Sequence, residues 1–395
     1  MRPLDGIRVL DFSRVLAGPM ATQILAELGA EVIKVERPGG GDESRRFEPR
    51  LPGGESAYFF AFNRGKRSIT LDLATPRGQE IARGLARHAD VVVENFLPGS
   101  MDKRGLGYEA LAEENPRLVY VSATGFGQSG PYSDRKGYDT VFQALSGVMA
   151  LTGHPDTPPA KAGVPIADLT SGLWIVIAAL AGLAGRGSSG RGGHADLAMM
   201  DVQVSLLAVA AARLFALDED PPRTGTAHPG RVPSAAFECA DGRYLHISGS
   251  DHHWGPLCSV LGLDELAADP DLATNAGRVA QRERVTAGLT RAFATWPRDA
   301  LADALRAAGV PAGEVNSVRE ALTDRNTIER GMVGHFDHPG EGRFPALGAP
   351  LRIEGYDRPE PAAPPLLGSD TDAVLTELLG LGEAEISRLR DEGTI

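Results

Sequence analysis

Cysteine is nearly absent. The 395-residue chain has two, Cys239 and Cys258. One pair cannot build a disulfide framework, and a reduced cytosolic thiol pair is the default reading. Lysine is almost as scarce. Of 40 basic residues only Lys34, Lys66, Lys103, Lys136 and Lys161 are lysine, all in the first half of the chain, where they hint at an anion. Acidic residues number 52, so the net charge is −12. That balance leaves no broad basic surface for nucleic acid or an anionic membrane. The most apolar run, Leu173–Leu183, is too short to span a bilayer. The opening MRPLDGIRVLDFS lacks the charged leader, apolar core and small-residue cleavage site of a signal peptide. The expectation is a cytoplasmic protein with no nucleic-acid or membrane partner.

Three nucleotide and hydrolase templates are missing as well. Asp11 is followed by Ser13-Arg14-Val15-Leu16-Ala17-Gly18-Pro19, with no G-x-G-x-x-G, although Glu36 stands where an acidic residue would hold a ribose. There is no G-x-S-x-G elbow. The segment Asn63-Arg64-Gly65-Lys66-Arg67-Ser68 has Gly-Lys without the earlier glycine of a P-loop. His246, His252, His253 and Cys258 lie near one another in sequence. Adjacent histidines point apart on a strand and lie about 100° apart on a helix, so no metal site is expected.

What is present alternates. Ile7–Asp11, the run from Gly18 to Gly29 and Glu31–Glu36 read as strand, helix, strand. Ser68–Leu73 reads as a strand, Thr75-Pro76 as a capped helix start, Ala89–Glu94 as a strand buried on both faces. A helix near Tyr108–Glu114 and a strand Leu118–Ser122 follow. Apolar residues make up 42% and charged residues 23%, ordinary values for a globular chain. This alternation predicts an α/β fold with a doubly wound parallel sheet. Helical runs near Asp168–Gly185 and Met199–Leu217 come next, then a Pro-rich linker at 221–233. A hairpin, Ser234–Cys239 with Arg243–Ser248, opens a smaller α+β domain. The expected division is 1–220 for the first part of a large domain, 234–324 for the small domain, and 325–395 for a return to the large one.

Six segments in order carry a resemblance. They are Asp11–Pro19, Val35-Glu36-Arg37-Pro38, Asn63–Ile69, Val92-Val93-Glu94-Asn95-Phe96, Lys136-Gly137-Tyr138-Asp139 and Ile166-Ala167-Asp168-Leu169-Thr170-Ser171-Gly172. Ala308–Gly313 and Leu367–Asp372 extend it. Together they resemble the family III CoA-transferases (the CaiB/BaiF type), to which the formyl-CoA and carnitine CoA-transferases belong and the α-methylacyl-CoA racemases are related. The resemblance implies a large Rossmann-like domain, a small domain and an interlocked homodimer. It implies transfer of CoA from an acyl-CoA donor to a small carboxylic acid. Coenzyme A is then a substrate, and no permanently bound cofactor or metal is required.

Asp168 matches the family's nucleophile. An aspartate at a helix start is also a natural N-cap, so the residues alone leave both roles open. By the same match, CoA would be held by Leu16, Ala17, Arg37, Leu71, Asp72, Leu73, Ala74, Asn95, Phe96, Leu97, Lys103, Lys136, Gly137, Tyr138 and Asp139. Ser248-Gly249-Ser250 is a candidate for oxyanion stabilisation, since glycine permits close backbone approach.

Two departures narrow the activity. The formyl-CoA:oxalate enzymes have histidine and glutamine in the first loop and a tetraglycine loop in the small domain. Here Arg14, Leu16 and Gly249-Ser250-Asp251-His252-His253 stand in those places. The racemases use Gly-His-Asp where this chain has Gly137-Tyr138-Asp139, and tyrosine, with a pKa near ~10, is a poor base at neutral pH. A CoA-transferase is therefore favoured over a racemase, with a catalytically silent CoA-binding subunit as a third reading.

Overall fold

The computed structural model describes residues 1–395, which form two compact units. One comprises 1–148, 162–211 and 325–395; the other comprises 149–161 and 212–324.

The first unit contains β1 (Arg8–Asp11), α1 (Ala17–Glu27), β2 (Glu31–Glu36), α2 (Ala57–Phe62), β3 (Arg67–Thr70), α3 (Pro76–Arg87), β4 (Val91–Glu94), α4 (Tyr108–Glu114), β5 (Val119–Thr124), α5 (Asp139–Leu145), α6 (Ile166–Ser189), β6 (Gly193–Ala198) and α7 (Met199–Ser205). The six strands form one sheet in the order β3-β2-β1-β4-β5-β6, and every neighbouring pair is parallel. Side chains alternate across it. Val9, Val32, Val91, Val93 and Val121 face one core with Ala21 and Leu25 of α1 and Ile175 and Ala179 of α6. Leu10, Ile33, Val92 and Tyr120 face a second core with Ile81 and Leu85 of α3 and Leu111 of α4. Val374 and Leu389, from the C-terminal helices Thr371–Leu379 and Glu383–Asp391, complete that second core. With both faces covered, all of Val91–Glu94 is buried, which is why that strand is continuously apolar up to its last residue.

Local signals are met where the sequence carries them. Thr75 Oγ1 accepts the Gly78 N–H at 3.0 Å and Pro76 occupies the first turn of α3. Gly18 lets α1 lie against the preceding loop: a Cβ there would stand 2.2 Å from the Ser13 Cβ. The apolar run Leu173–Leu183 is the middle of α6. At 24 residues, α6 is longer than that run and long and apolar enough by length and composition to cross a membrane, a property that the core helices of soluble proteins share. One face of α6 is core; Leu173, Trp174, Ile177 and Leu180 on the helix are exposed. A hairpin, β10 (Val333–His338) with β11 (Gly342–Leu347), follows the return of the chain to this unit once the second unit is complete.

The second unit has an antiparallel sheet of β7 (Ser234–Glu238), β8 (Tyr244–Ser248) and β9 (Ala312–Glu314). Helices pack on it around Phe237, Leu245, Trp254, Leu289 and Phe293. Residues 149–161, which composition groups with the first part of the chain, pack here. The Arg223 guanidinium donates to the carbonyls of Ala150, His154 and Thr157, and the Gly225 N–H bonds the Gly153 carbonyl at 3.0 Å.

Candidate active site

The strand order reverses between β1 and β4, so the loops leaving their carboxyl ends diverge and leave a crevice. Two cavities open there. The first, of about 710 Å³, is lined by Phe12–Arg14, Lys34–Arg37, Gly41–Glu43, Arg46, Phe47, Leu71–Ala74, Phe96 and Arg104. The second, of about 410 Å³, is lined by Arg14–Ala17, Asn95–Pro98, Ala123–Gly125, Arg135–Asp139, Phe142, Asp168 and Met199, among others. Arg14, Glu43 and Phe96 line both.

The wall between them is the loop after β1. Asn95 clamps it: its Oδ1 accepts the Arg14 N–H at 2.9 Å and its Nδ2 donates to the Arg14 carbonyl at 2.8 Å. Val15 has φ of +71°, a strained conformation for a β-branched residue. Its N–H is held by both Asp42 carboxylate oxygens at 3.2 Å. Asp42 is fixed in turn by Lys34 Nζ at 2.9 Å, and the same ammonium donates to the Ser13 carbonyl at 2.8 Å. Burial opposes ionisation of Asp42, yet Lys34 and the Ser44 N–H outweigh it and hold the carboxyl well below the usual range. Deeper in, Asp11 accepts from Thr22 and from Lys66 Nζ at 3.1 Å. Burial pushes the Lys66 amine down to about 8, against the pull of Asp11.

Asp168 is the third residue of α6, not its cap. Pro165 occupies the cap position and gives no side-chain bond. Asp139 supplies the missing acceptor: its Oδ1 takes the Ala167 N–H at 2.8 Å and the Asp168 N–H at 3.4 Å. Gln143 Nε2 holds the other Asp139 oxygen at 2.6 Å. The Asp168 carboxyl accepts no hydrogen bond from the protein and faces the second cavity. Burial, with a smaller contribution from the Asp139 charge, pushes its pKa up to about 7. Burial likewise pushes the Tyr58 hydroxyl up to about 12, with the charges of Asp168, Asp42 and Asp139 adding to it.

The residues expected to hold CoA divide between the two cavities. Arg37, Leu71, Asp72, Leu73 and Ala74 line the first. Leu16, Ala17, Asn95, Leu97, Lys136, Gly137, Tyr138 and Asp139 line the second with Asp168, and Phe96 lines both. Lys103 lines neither. It sits on the short 3₁₀ turn Asp102–Arg104, where successive side chains diverge by about 120°, and its neighbour Arg104 turns to the first cavity instead. Two of the five lysines taken as a hint of an anion are wholly buried: Lys34 and Lys66 serve Asp42 and Asp11. Glu36 is not a ribose ligand either; it is buried and gripped by Arg45 through two bonds of 2.7 Å. The Ser248-Gly249-Ser250 donors are already used. Their N–H groups bond the Pro311 carbonyl, the Pro233 carbonyl and His253 Nδ1 at 3.2, 2.9 and 3.0 Å.

Several lining residues had no signal in the sequence. Asp42, Glu43 and Arg46 follow a glycine turn that reads only as a loop. Glu94 reads only as the end of a strand. It is buried, and its Oε2 accepts the Phe96 N–H at 2.8 Å. Burial pushes its carboxyl up to about 7, against the bonds from Ser122 and the Phe96 N–H.

The sequence model of CoA-transferase family III matches residues 4–371. The succinate–glutarate CoA-transferase of Agrobacterium fabrum is 42% identical over 386 residues, covering 95% of this chain and 96% of that one. The succinyl-CoA:glutarate CoA-transferase of Mus musculus is 39% identical over 395 residues, covering 100% of this chain and 91% of that one. The crystal structure of a CaiB/BaiF family protein from Brucella suis aligns with a TM-score of 0.86 at 43% identity, over 95% of this chain and 99% of that one.

Proposed function

The chain belongs to CoA-transferase family III, an enzyme that moves CoA from an acyl-CoA to a carboxylate, and from that membership we propose that Asp168 carries the transfer covalently. The observation that carries this reading is the Asp168 carboxyl itself: facing a cavity, without a hydrogen-bond donor, and with its pKa pushed up to about 7. A carboxylate of raised basicity, stripped of donors, is a better nucleophile than one in water.

The Asp168 carboxylate attacks the thioester carbonyl of the donor. The C–S bond breaks, CoA leaves as thiolate, and an aspartyl-acyl anhydride remains. The thiolate attacks the aspartyl carbonyl, releases the donor acid as carboxylate and leaves an aspartyl-CoA thioester. The acceptor carboxylate then attacks that thioester and expels the thiolate, giving a second anhydride. Attack of the thiolate on the acceptor carbonyl forms the new acyl-CoA and frees Asp168. Each step exchanges one carboxylate or thiolate for another, so no net proton or electron is consumed. The phosphates of CoA belong in the first cavity, where Arg37, Arg46 and Arg104 are free of carboxylate partners. The pantetheine arm then passes Phe96 into the second cavity, toward Asp168. Leu16, Ala17, Asn95, Leu97 and Lys136 through Asp139 are its walls.

The working enzyme is read as an interlocked homodimer of two-domain chains. Supporting this are the exposed apolar side chains of α6 and, beyond it, Val209 and Phe215, each 84% exposed. The substrate acids are read as dicarboxylates, after the succinate and glutarate in the names of the relatives above.

Asp168→Ala tests the mechanism. Transfer should fall by several orders of magnitude while CoA still binds. Wild-type enzyme incubated with donor acyl-CoA and then hydroxylamine should carry a modified peptide containing Asp168. Absence of that adduct with every donor, alongside α-proton exchange of a 2-methylacyl-CoA, would make Asp168 an acid–base group and sink the transferase mechanism.

A further inference from the structure

The second cavity is rich in negative charge. Asp168, Asp139 and Glu43 all line it. An acid entering to react must bring one carboxylate to Asp168. A second carboxylate on the same molecule would meet like charges unless a cation receives it. Three cations line the cavity: Arg14, Arg135 and Lys136. The Arg135 guanidinium lies 3.6 Å from the centre of the Tyr132 ring, and Lys136 sits at the exposed end of a loop.

Arg14 is different because its backbone is fixed from both sides. Asn95 bonds its N–H and its carbonyl, and the next residue is pinned in a left-handed conformation by Asp42. Backbone strain of this kind persists only where the surroundings over-determine it, and it clusters at functional sites. The Arg14 side chain is placed as well. Its guanidinium lies 4.8 Å from the centre of the Phe96 ring, which leaves its edge to make hydrogen bonds. That edge meets a single carboxylate, Glu43, at 3.1 Å. Both partners are about half exposed, at 44% and 53%, and such a pair contributes little and exchanges readily. An incoming carboxylate could displace it. The phosphate sites need not compete, because Arg37, Arg46 and Arg104 serve the other cavity.

We propose that Arg14 determines acid specificity: its guanidinium takes the second carboxylate of a dicarboxylic acid, releasing Glu43, while the first carboxylate reacts at Asp168. The inference rests on the transferase reading above and adds the residue that selects the acid. Arg14 touches the substrate but not the reacting atoms. Its planar fork matches a carboxylate through two parallel bonds, which a lysine cannot reproduce.

The test uses full-length enzyme, a panel of acyl-CoA donors, and two acceptors of equal chain length, glutarate and pentanoate. Wild type should prefer glutarate in kcat/KM by roughly 10-fold or more, from a charge-assisted pair. Arg14→Gln should lower the glutarate-to-pentanoate ratio by roughly 10- to 100-fold, most of it in the glutarate KM. Arg14→Lys should recover only part of that ratio. A second variant leaves the Arg14 loop untouched: Glu43→Gln removes the competing carboxylate and should lower the glutarate KM several-fold. The proposal is overturned if wild type shows no preference, if Arg14→Gln lowers both acids equally, or if Glu43→Gln leaves the glutarate KM unmoved or raised. Equal loss for both acids with weaker CoA binding would make Arg14 a CoA ligand. Should Arg14→Gln fail to fold, the wild-type ratio and Glu43→Gln decide. If wild type transfers CoA to no acid at all, the transferase reading falls first and the proposal with it.

Discussion

One carboxylate holds the backbone of another's residue: Asp139 Oδ1 accepts the N–H of Asp168 at 3.4 Å and of Ala167 at 2.8 Å. The sequence places a proline where α6 needs a cap, and a proline side chain accepts nothing. Asp139 fills that role from 29 residues away and leaves the Asp168 side chain free of any capping duty. Its charge also disfavours ionisation of Asp168, second to burial.

The pH dependence of the reaction follows. Asp168 must be ionised to attack, and its pKa is raised to about 7. Activity of the free enzyme, read as kcat/KM, should rise with pH through a midpoint near 7. Asp139→Asn keeps a cap oxygen and removes the charge, so the midpoint should move to lower pH by less than about one unit, burial being the larger cause. Asp139→Ala removes the cap too and should cost more activity than Asp139→Asn. A flat profile from pH 5 to 9, with chemistry rate-limiting, would refute this assignment.

Arg37 lines the first cavity without a carboxylate partner. Arg37→Ala should weaken CoA binding roughly 10- to 150-fold, the loss of a charge-assisted phosphate bond. The melting temperature should hardly move, because the side chain is exposed. Calorimetric titration with CoA gives the answer. An unchanged dissociation constant would return Arg37 to the role of a solvated surface charge.

Glu94 is buried with its pKa raised from 4.5 to about 7. A carboxyl raised in the folded state binds more protons folded than unfolded, so its contribution to stability falls as pH rises between those values. The penalty is complete above about 7 and is of order 3 kcal/mol. Glu94→Gln keeps an acceptor for the Phe96 N–H and removes the titration. Relative to wild type, the variant should therefore gain stability between pH 5 and pH 8.5. Urea unfolding at the two pH values measures the difference; a constant difference contradicts the burial of an ionising Glu94.

Leu173, Trp174, Ile177 and Leu180 leave an apolar strip on α6 open to solvent in the single chain. Sedimentation at micromolar concentration should show two chains per particle. A folded, stable monomer would refute the dimer.

What is local can be read along the chain. The alternation of apolar strands with helices, the Thr75-Pro76 helix start and the hairpin at Ala240-Asp241-Gly242 are written in periodicity and turn chemistry, and the structure forms them with shifts of up to four residues at their ends. The ordered motifs from Asp11 to Gly172 were enough to mark the family and to single out Asp168. Tertiary structure decided the partnerships. Asn95 reaches Arg14 across 81 residues because β1 and β4 are neighbours in the sheet, an adjacency that depends on strand order and not on chain order. Lys34 and Lys66 belong to the lysine cluster that hints at an anion, yet they are buried counterions, since nothing in a lysine's sequence context says which carboxylate the fold will set against it. By its place at a helix start Asp168 reads as a cap, and by its motif as a nucleophile. Tertiary structure took the cap away from it: Asp139 arrives at the start of α6 to accept the N–H bonds, and burial withholds water and donors from the Asp168 carboxyl, because hydrogen bonding and desolvation belong to the packed molecule rather than to the chain.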